Sequence, residues 1–356
     1  MPANEFGKRE RLKPTGMKAV AERAGVAISS VSRVLSDHPD VSESMRSRVL
    51  DAVAALGYEP DILAQSLRTG ETRAIGFVVS DISNPLFALM AHGAEIELRA
   101  HGYSVLLASS LNNDELALQQ IRRMYARRID GLMVSAGEET GGPISRLLAN
   151  SPVPTTLIDR KLGVEGASHV FSAHKTGMRQ AVAHLVELGH RRIALVNGQS
   201  TVLPAHARAK ALRRMAKDDP RLKVSIVHGP FSEAHGESAV TELLTGPNPP
   251  TAIIAGGNQL LVGALSALTK LGVSIPGSVS LVSCDSLPLA RFLTPDLAVI
   301  GRDAQELGMR AAQVMLAHMD DGVARDVSLP TRYLPAGSVA APRPGALALS
   351  TTRREG

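Results

Sequence analysis

A chain that turns over a substrate needs a nucleophile, a proton-transfer group or a metal, and few residues in these 356 could supply one. The single cysteine, Cys284, ends an apolar run that reads as a buried strand, where a thiol is inert. One cysteine also excludes intramolecular disulfides and cysteine-cluster metal sites. His184 and His190 lie near each other, as do His169 and His174, but neither spacing is that of a helical zinc pair with a carboxylate. Solvated or capping histidines are expected instead. The glycine-rich Ala255-Gly-Gly-Asn258 is neither a Walker loop nor a dinucleotide fingerprint, and no Gly-x-Ser-x-Gly elbow is present. The residues point away from an enzyme, with no catalytic set, no metal and no cofactor.

What remains is charge, and it is unevenly placed. The chain is +5 overall, from 39 basic and 34 acidic residues. Residues 1–35 carry Lys8, Arg9, Arg11, Lys13, Lys18, Arg23 and Arg33 against only Glu5, Glu10 and Glu22, so most of the excess sits at the front. A basic front on a nearly neutral body suits a polyanion, although a solvated tail gives the same balance. The next stretch, 36–75, is net acidic, so charge alone does not make the whole front a nucleic-acid binder. Aromatics are 3% with no Trp, which argues against base-stacking platforms for single strands or RNA. With 44% hydrophobic residues a sizeable core can be buried. No stretch has the length of a membrane span, and the polar start has no signal-peptide core. A cytoplasmic protein is expected.

The elements that position these groups follow from periodicity. Met17, Val20, Ala21 and Ala24 share one helical face, and Gly25 stops that helix. A second segment from Ile28 to Leu35 places Val31, Val34 and Leu35 on one face, with Ser29, Ser32 and Arg33 outward. Ser42 is an N-cap for a third helix with the stripe Met45, Val49, Val53 and Leu56, ended by Gly57 and Pro60. Three short helices with a Gly-containing turn between the first two describe a helix-turn-helix head. From residue 74 the texture changes: short apolar runs alternate with helical stretches as far as residue 284. That rhythm predicts an α/β fold with two open parallel sheets and a ligand crevice at their carboxyl ends.

The stretch Met17-Lys-Ala-Val-Ala-Glu-Arg-Ala-Gly-Val-Ala-Ile-Ser-Ser-Val-Ser-Arg-Val-Leu35 resembles the head of the lactose/galactose-repressor (LacI/GalR) family. The likeness continues through Gly57-Tyr-Glu-Pro60, Pro60-Asp-Ile-Leu-Ala-Gln-Ser-Leu67, Ser83-Asn-Pro-Leu-Phe87, His101-Gly-Tyr-Ser-Val105, Arg128-Ile-Asp-Gly-Leu132, His184-Leu-Val-Glu-Leu-Gly-His-Arg-Arg-Ile193 and Leu293-Thr-Pro295. It spans roughly residues 15–338, and several motifs in the right order make it specific. The resemblance implies a recognition helix in the major groove of double-stranded operator DNA, with Ile28, Ser29 and Arg33 facing base edges. Arg33 can donate two parallel bonds to guanine O6 and N7, and Ile28 can meet a thymine methyl. Ser30 and Ser32 would touch phosphates, which fixes register without reading sequence. Where the family usually has Ser before this helix, the chain has Ala27, which removes an N-cap worth about 1 kcal/mol. Weaker or more salt-sensitive binding is expected.

The same resemblance makes the two turns of 61–68 a hinge helix that orders when two copies meet on DNA. Ala64, Leu67 and Arg68 are its DNA contacts, with Leu67 wedged between base pairs in the minor groove. A homodimer on a near-palindrome follows.

For the core the resemblance implies two lobes, like periplasmic sugar-binding proteins, closing on a small-molecule effector that is a sugar or a carboxylated metabolite. By position it nominates Asp81, Leu86, Phe87 and Asp159 from the first lobe and Arg208, Phe231, Gly257, Asn258 and Asp285 from the second. Carboxylates and an arginine fork suit hydroxyls or carboxylates, and an aromatic covers an apolar face. The chain departs from the family at Ala173-His174, Gly257-Asn258, Ser283-Cys284-Asp285, and at His206 and Arg208, so groups that satisfy sugar hydroxyls are missing. Either the ligand is atypical or effector control is weak or absent. A transport solute-binding module is the competing reading, but it calls for an export signal and no head.

The expected organisation is a disordered arm at 1–14, the head at 15–59, a hinge at 60–72, a core at 73–339 and a loose tail at 340–356. Within the core, 73–172 with 299–330 form one lobe and 173–298 the other. The expected function is a dimeric, ligand-responsive transcriptional repressor, nucleoid-associated in the cytoplasm, with no membrane partner.

Overall fold

The computed structural model describes residues 16–58, 70–137, 141–287, 290 and 292–343. Two compact units emerge, Met1–Thr72 and Arg73–Gly356. The hinge residues Ala64, Leu67 and Arg68 and the arm at 1–14 lie outside the described residues.

The first unit has three helices, α1 (Met17–Ala24), α2 (Ile28–Leu35) and α3 (Glu43–Leu56). Gly25 and Gly57 end α1 and α3 in the left-handed region, at φ 63° and 58°, where a side chain is disfavoured. The Ser42 hydroxyl accepts from the Met45 N–H at the start of α3. Ala27 precedes α2 with no side-chain cap, as its methyl dictates. Val20, Ala21, Ala24, Val31, Val34, Val49, Ala52 and Tyr58 form the core of this small unit.

The second unit holds two six-stranded sheets. The strands and helices of the first lobe run β1 (Ala74–Val79), α4 (Pro85–Ala100), β2 (Ser104–Ser109), α5 (Asp114–Ala126), β3 (Gly131–Ser135), α6 (Pro143–Ala149), β4 (Thr155–Ile158) and β5 (Ser168–Ala173). The chain then crosses over into α7 (His174–Glu187), β6 (Arg192–Asn197), α8 (Leu203–Asp218), β7 (Lys223–His228), α9 (Glu233–Thr245), β8 (Ala252–Ala255), α10 (Asn258–Lys270), β9 (Ser280–Cys284) and β10 (Ala298–Gly301). It returns to the first lobe with α11 (Ala304–Asp321) and β11 (Asp326–Pro330), and ends in the second with β12 (Arg332–Leu334). The sheet orders are β11-β5-β4-β3-β1-β2 and β12-β10-β9-β8-β6-β7, all parallel except β12. Strands β3, β4, β8 and β9 are buried along their whole length, which explains why they read as unbroken apolar runs.

Two expected boundaries move. The first lobe was expected to resume at residue 299, but β10 pairs with β9, so the crossover comes after Gly301. Residues 332–339 also belong to the second lobe, because β12 pairs with β10 and Ser338 bonds Leu281. The tail was expected to be loose from Ala340. Instead the Ala340 carbonyl accepts from His190 and its N–H donates to Ser280, which fixes this residue on the core.

In the first lobe α4 and α11 pack backbone to backbone: a Cβ on Gly308 would lie 1.9 Å from the Met90 carbonyl oxygen. Both sheets turn the carboxyl ends of their central strands toward one crevice, where the loops carry polar residues.

Candidate functional site

On the head, α2 turns Val31 and Val34 inward and leaves Ile28, Ser29 and Arg33 exposed. Ile28 is 49% exposed, so it is not a core residue. Ser30 and Ser32 are half-buried along the same helix. An exposed isoleucine and an arginine with no ion pair among the described residues, on one helix, are groups that can meet a base-pair edge.

In the core, the ends of β1, β4, β8, β9 and β10 supply Asp81, Asp159, Gly257, Asp285 and Arg302 to the cleft between the lobes. Asp159 and Asp285 both sit at positive φ, 50° and 70°, conformations that non-glycine residues hold only where surrounding contacts enforce them. Those contacts are dense. Asp159 accepts from the Ser172 N–H at 2.6 Å and its hydroxyl at 3.0 Å. The Arg302 guanidinium grips Asp285 with two bonds of 2.8 and 3.3 Å, donates to Ser172 at 2.9 Å, and pairs with Asp159. Arg208 stands 3.5 Å from Asp285 and donates to the Gly256 carbonyl at 2.7 Å. Arg160 bridges the Asp159 carbonyl and Ser80. His174 places Nε2 3.6 Å from Asp159.

Burial and charge set the protonation of this cluster. Burial is the largest influence and pushes the Asp159 and Asp285 carboxyls up, but Arg302 together with the surrounding hydrogen bonds, and Arg208 at Asp285, overcomes it, so both end below the usual carboxylate range. Arg302 is likewise disfavoured by burial and rescued by Asp285 and Asp159, which raise it above its ordinary value. His174 loses on both counts: burial and the neighbouring Arg208 bring it down to about 4 despite Asp159. The cluster is therefore two carboxylates and a neutral imidazole among the guanidiniums of Arg302, Arg208 and Arg160 at neutral pH. Burial also pushes the Cys284 thiol up to about 11, so it stays protonated.

Farther from the crossovers, direct bonds span the lobes. Gln259 of the second lobe donates to Asp81 of the first at 2.9 Å, and Asn258 donates to Asn84 at 3.1 Å. Phe87 and Phe231 give the cleft apolar walls. The Phe231 ring lies on Gly198, where an added Cβ would come within 2.1 Å of it. The free space left is about 60 Å³, room for a few water molecules.

Of the nine residues nominated from sequence, Asp81, Leu86, Phe87, Asp159, Arg208, Phe231, Gly257 and Asp285 line this cleft, and Asn258 does not. Asn258 is buried and spends its amide on Asn84 instead. Sequence reasoning missed Arg302, Arg160, Ser172 and Gln259. Arg302 follows the four-residue strand β10, which the alternating pattern of the sequence does not mark, and the resemblance that nominates Asp159 and Asp285 by position does not nominate it. No group of three or more His, Cys, Asp or Glu among the described residues could hold a metal, and no helix among them is long and apolar enough to cross a membrane.

Comparisons with known proteins match both units. Residues 72–336 fit the profile "Periplasmic binding proteins and sugar binding domain of LacI family", and residues 16–61 fit "Bacterial regulatory proteins, lacI family". The HTH-type transcriptional repressor PurR of Haemophilus influenzae (strain PittEE) is 30% identical over 314 residues, 86% of this chain and 93% of that protein. The ribose operon repressor of Escherichia coli (strain K12) is 30% identical over 307 residues, 84% and 92% of the two. A solved lac repressor dimer bound to operator and the anti-inducer ONPF shares the fold, with a TM-score of 0.83 at 24% identity over 92% of this chain and 100% of that one. Head, two-lobed core and sequence agree along nearly the whole length, and the chain belongs to the LacI family of bacterial regulatory proteins.

Proposed function

We propose that this regulator is a transcriptional repressor that grips a near-palindromic operator in double-stranded DNA as a homodimer, and that a small metabolite entering the inter-lobe cleft changes that grip. One observation carries the reading: a single chain holds both a helix-turn-helix head with Ile28, Ser29 and Arg33 exposed on α2 and a two-lobed core with polar strand ends converging on a cleft. In the major groove, the Arg33 fork would read a guanine and Ile28 a thymine methyl, while Ser30 and Ser32 hold phosphates. Ala64, Leu67 and Arg68 of the hinge would enter the minor groove, with Leu67 as the wedge. Two copies give the two-fold symmetry that a palindrome requires.

In the cleft, Asp81 and Gln259 offer polar anchors, and Leu86, Phe87, Phe231 and Gly257 supply apolar cover for a ring. Asp159, Arg208 and Asp285 act from behind, tied to one another and to Arg302. A sugar or a carboxylated metabolite fits this mixture of acceptors and donors. Such a protein works in the cytoplasm on the nucleoid, with no membrane partner. The test is to select the operator in vitro from random duplexes and then screen metabolites for a change in affinity at fixed salt. Failure to enrich any motif, with scrambled DNA retained equally, would end the DNA reading; a selected operator whose affinity no metabolite shifts would end the effector reading. The crowding of the cleft by Arg302 favours a second reading, a repressor that acts without effector.

A further inference from the structure

We propose that Arg302 is a built-in latch: bound at once to Asp159 of the first lobe and Asp285 of the second, it holds the core closed by contacts internal to the chain. The inference deepens the effector reading of the cleft, on which its regulatory meaning rests, while its geometry stands alone.

Three strands of chain cross between the lobes, at 173–174, 301–304 and 330–332. Each crossing carries a buried polar residue. His174 begins the first, beside Asp159. Arg302 lies on the second. Thr331 is the third: its hydroxyl donates to the Ala173 carbonyl at 2.8 Å and accepts from the Gly177 N–H at 3.1 Å. The pivot of the core is thus a solid polar joint. Within it, Arg302 is the residue that touches a carboxylate from each lobe. A guanidinium presents its donors as a rigid planar fork, so satisfying Asp285 with Nε and Nη2 while Nη1 meets Asp159 and Ser172 fixes the angle between the two strand ends.

The side chains of Arg302, Asp159 and Asp285 are 5%, 5% and 9% exposed. Opening the lobes would separate one carboxylate from the guanidinium, and that lost charge-assisted bond is what opposes opening. Farther from the pivot, the bonds from Gln259 to Asp81 and from Asn258 to Asn84 close the same gap. Between these strand ends the chain's own cation joins the lobes. A ligand shifts such an equilibrium only by its difference in affinity between open and closed forms. A metabolite that merely repeats contacts Arg302 already makes therefore changes little, and one that breaks them opens the core.

The full-length protein is suited to a direct test, because its one cysteine, Cys284, is buried and its thiol is held protonated. Strands β2 and β7 lie at the sheet edges farthest from the crossovers, and the helices that follow them, α5 and α9, begin on the cleft side. Spin labels at E115C and A234C, both exposed, would report lobe separation by pulsed electron resonance without added metabolite. A single short distance is expected. R302Q should add a longer population and lower the closed-to-open ratio at least tenfold, and R302K, which keeps the charge but not the fork, should fall between. Should R302Q fail to fold, the uncharged set D159N/D285N/R302Q removes all three charges together and should open equally. The proposal is overturned if the unaltered protein already spreads over long distances, or if folded R302Q or the triple variant keeps the short distance. A metabolite screen without hits would remove the effector reading and leave these distances, and the latch, as measured.

Discussion

Arg33 leaves α2 on its exposed face, and no ion pair among the described residues holds it there, so its fork is available to a base edge. R33A should relax preference at one symmetric base-pair position, a loss of about 1–3 kcal/mol of discrimination; in vitro selection reads this, and an unchanged motif would remove Arg33 from base recognition. His174 makes a different prediction. Surrounded by Asp159, Arg208, Arg302 and Asp285, it is held at about 4 in the folded chain against an ordinary 6.5. Between those values the unfolded chain binds a proton that the folded one refuses, so stability falls as the pH drops through that window. Depressed Asp159 and Asp285 add losses in the same direction at lower pH. Urea unfolding should show lower stability near pH 5 than at neutrality, and H174N should flatten the difference; an equal slope in both proteins would sink the assignment. At this scale the sequence was partly legible. Asp81, Asp159 and Asp285 were nominated through the family resemblance, whereas the burial of His174 depends on partners 15 to 128 positions away, which no local pattern encodes.

Helix α2 starts without a side-chain cap, and its first N–H groups must find other partners. A27S should restore one, raising thermal stability by about 1 kcal/mol and making operator binding less sensitive to salt; calorimetry and a salt titration check both. For the hinge, L67A should abolish specific binding while leaving non-specific binding intact, and equal loss on both DNAs would contradict the wedge. Elements with strong periodicity were readable in advance: Gly25, Ser42 and Gly57 marked their helix ends, and both central sheet regions announced themselves as apolar runs. Strands β10, β11 and β12 did not. β11 and β12 alternate exposure at sheet edges and so give no apolar run, and β10 lies beyond residue 284, where the alternating rhythm of the sequence ends. Missing β10 hid Arg302, and with it the cation that binds the carboxylates at the base of the cleft.

The whole molecule should behave as a two-fold unit. Sedimentation of the free protein should give twice the chain mass of 37.6 kDa, and the selected operator should contain two inverted half-sites; a monomer on a single half-site would contradict this. The lobes also do not mature in the order in which they are written. Helix α11 and strand β11 complete the first lobe, yet they follow the whole of the second except β12. On the ribosome, the apolar flank of α4 around Met90, Ala94 and Leu98 therefore waits uncovered until more than two hundred further residues have been made. A chain ending before α11 keeps that hydrophobic seam open, so stop codons placed just before residue 304 should abolish repression as fully as early ones, read by a reporter under the selected operator.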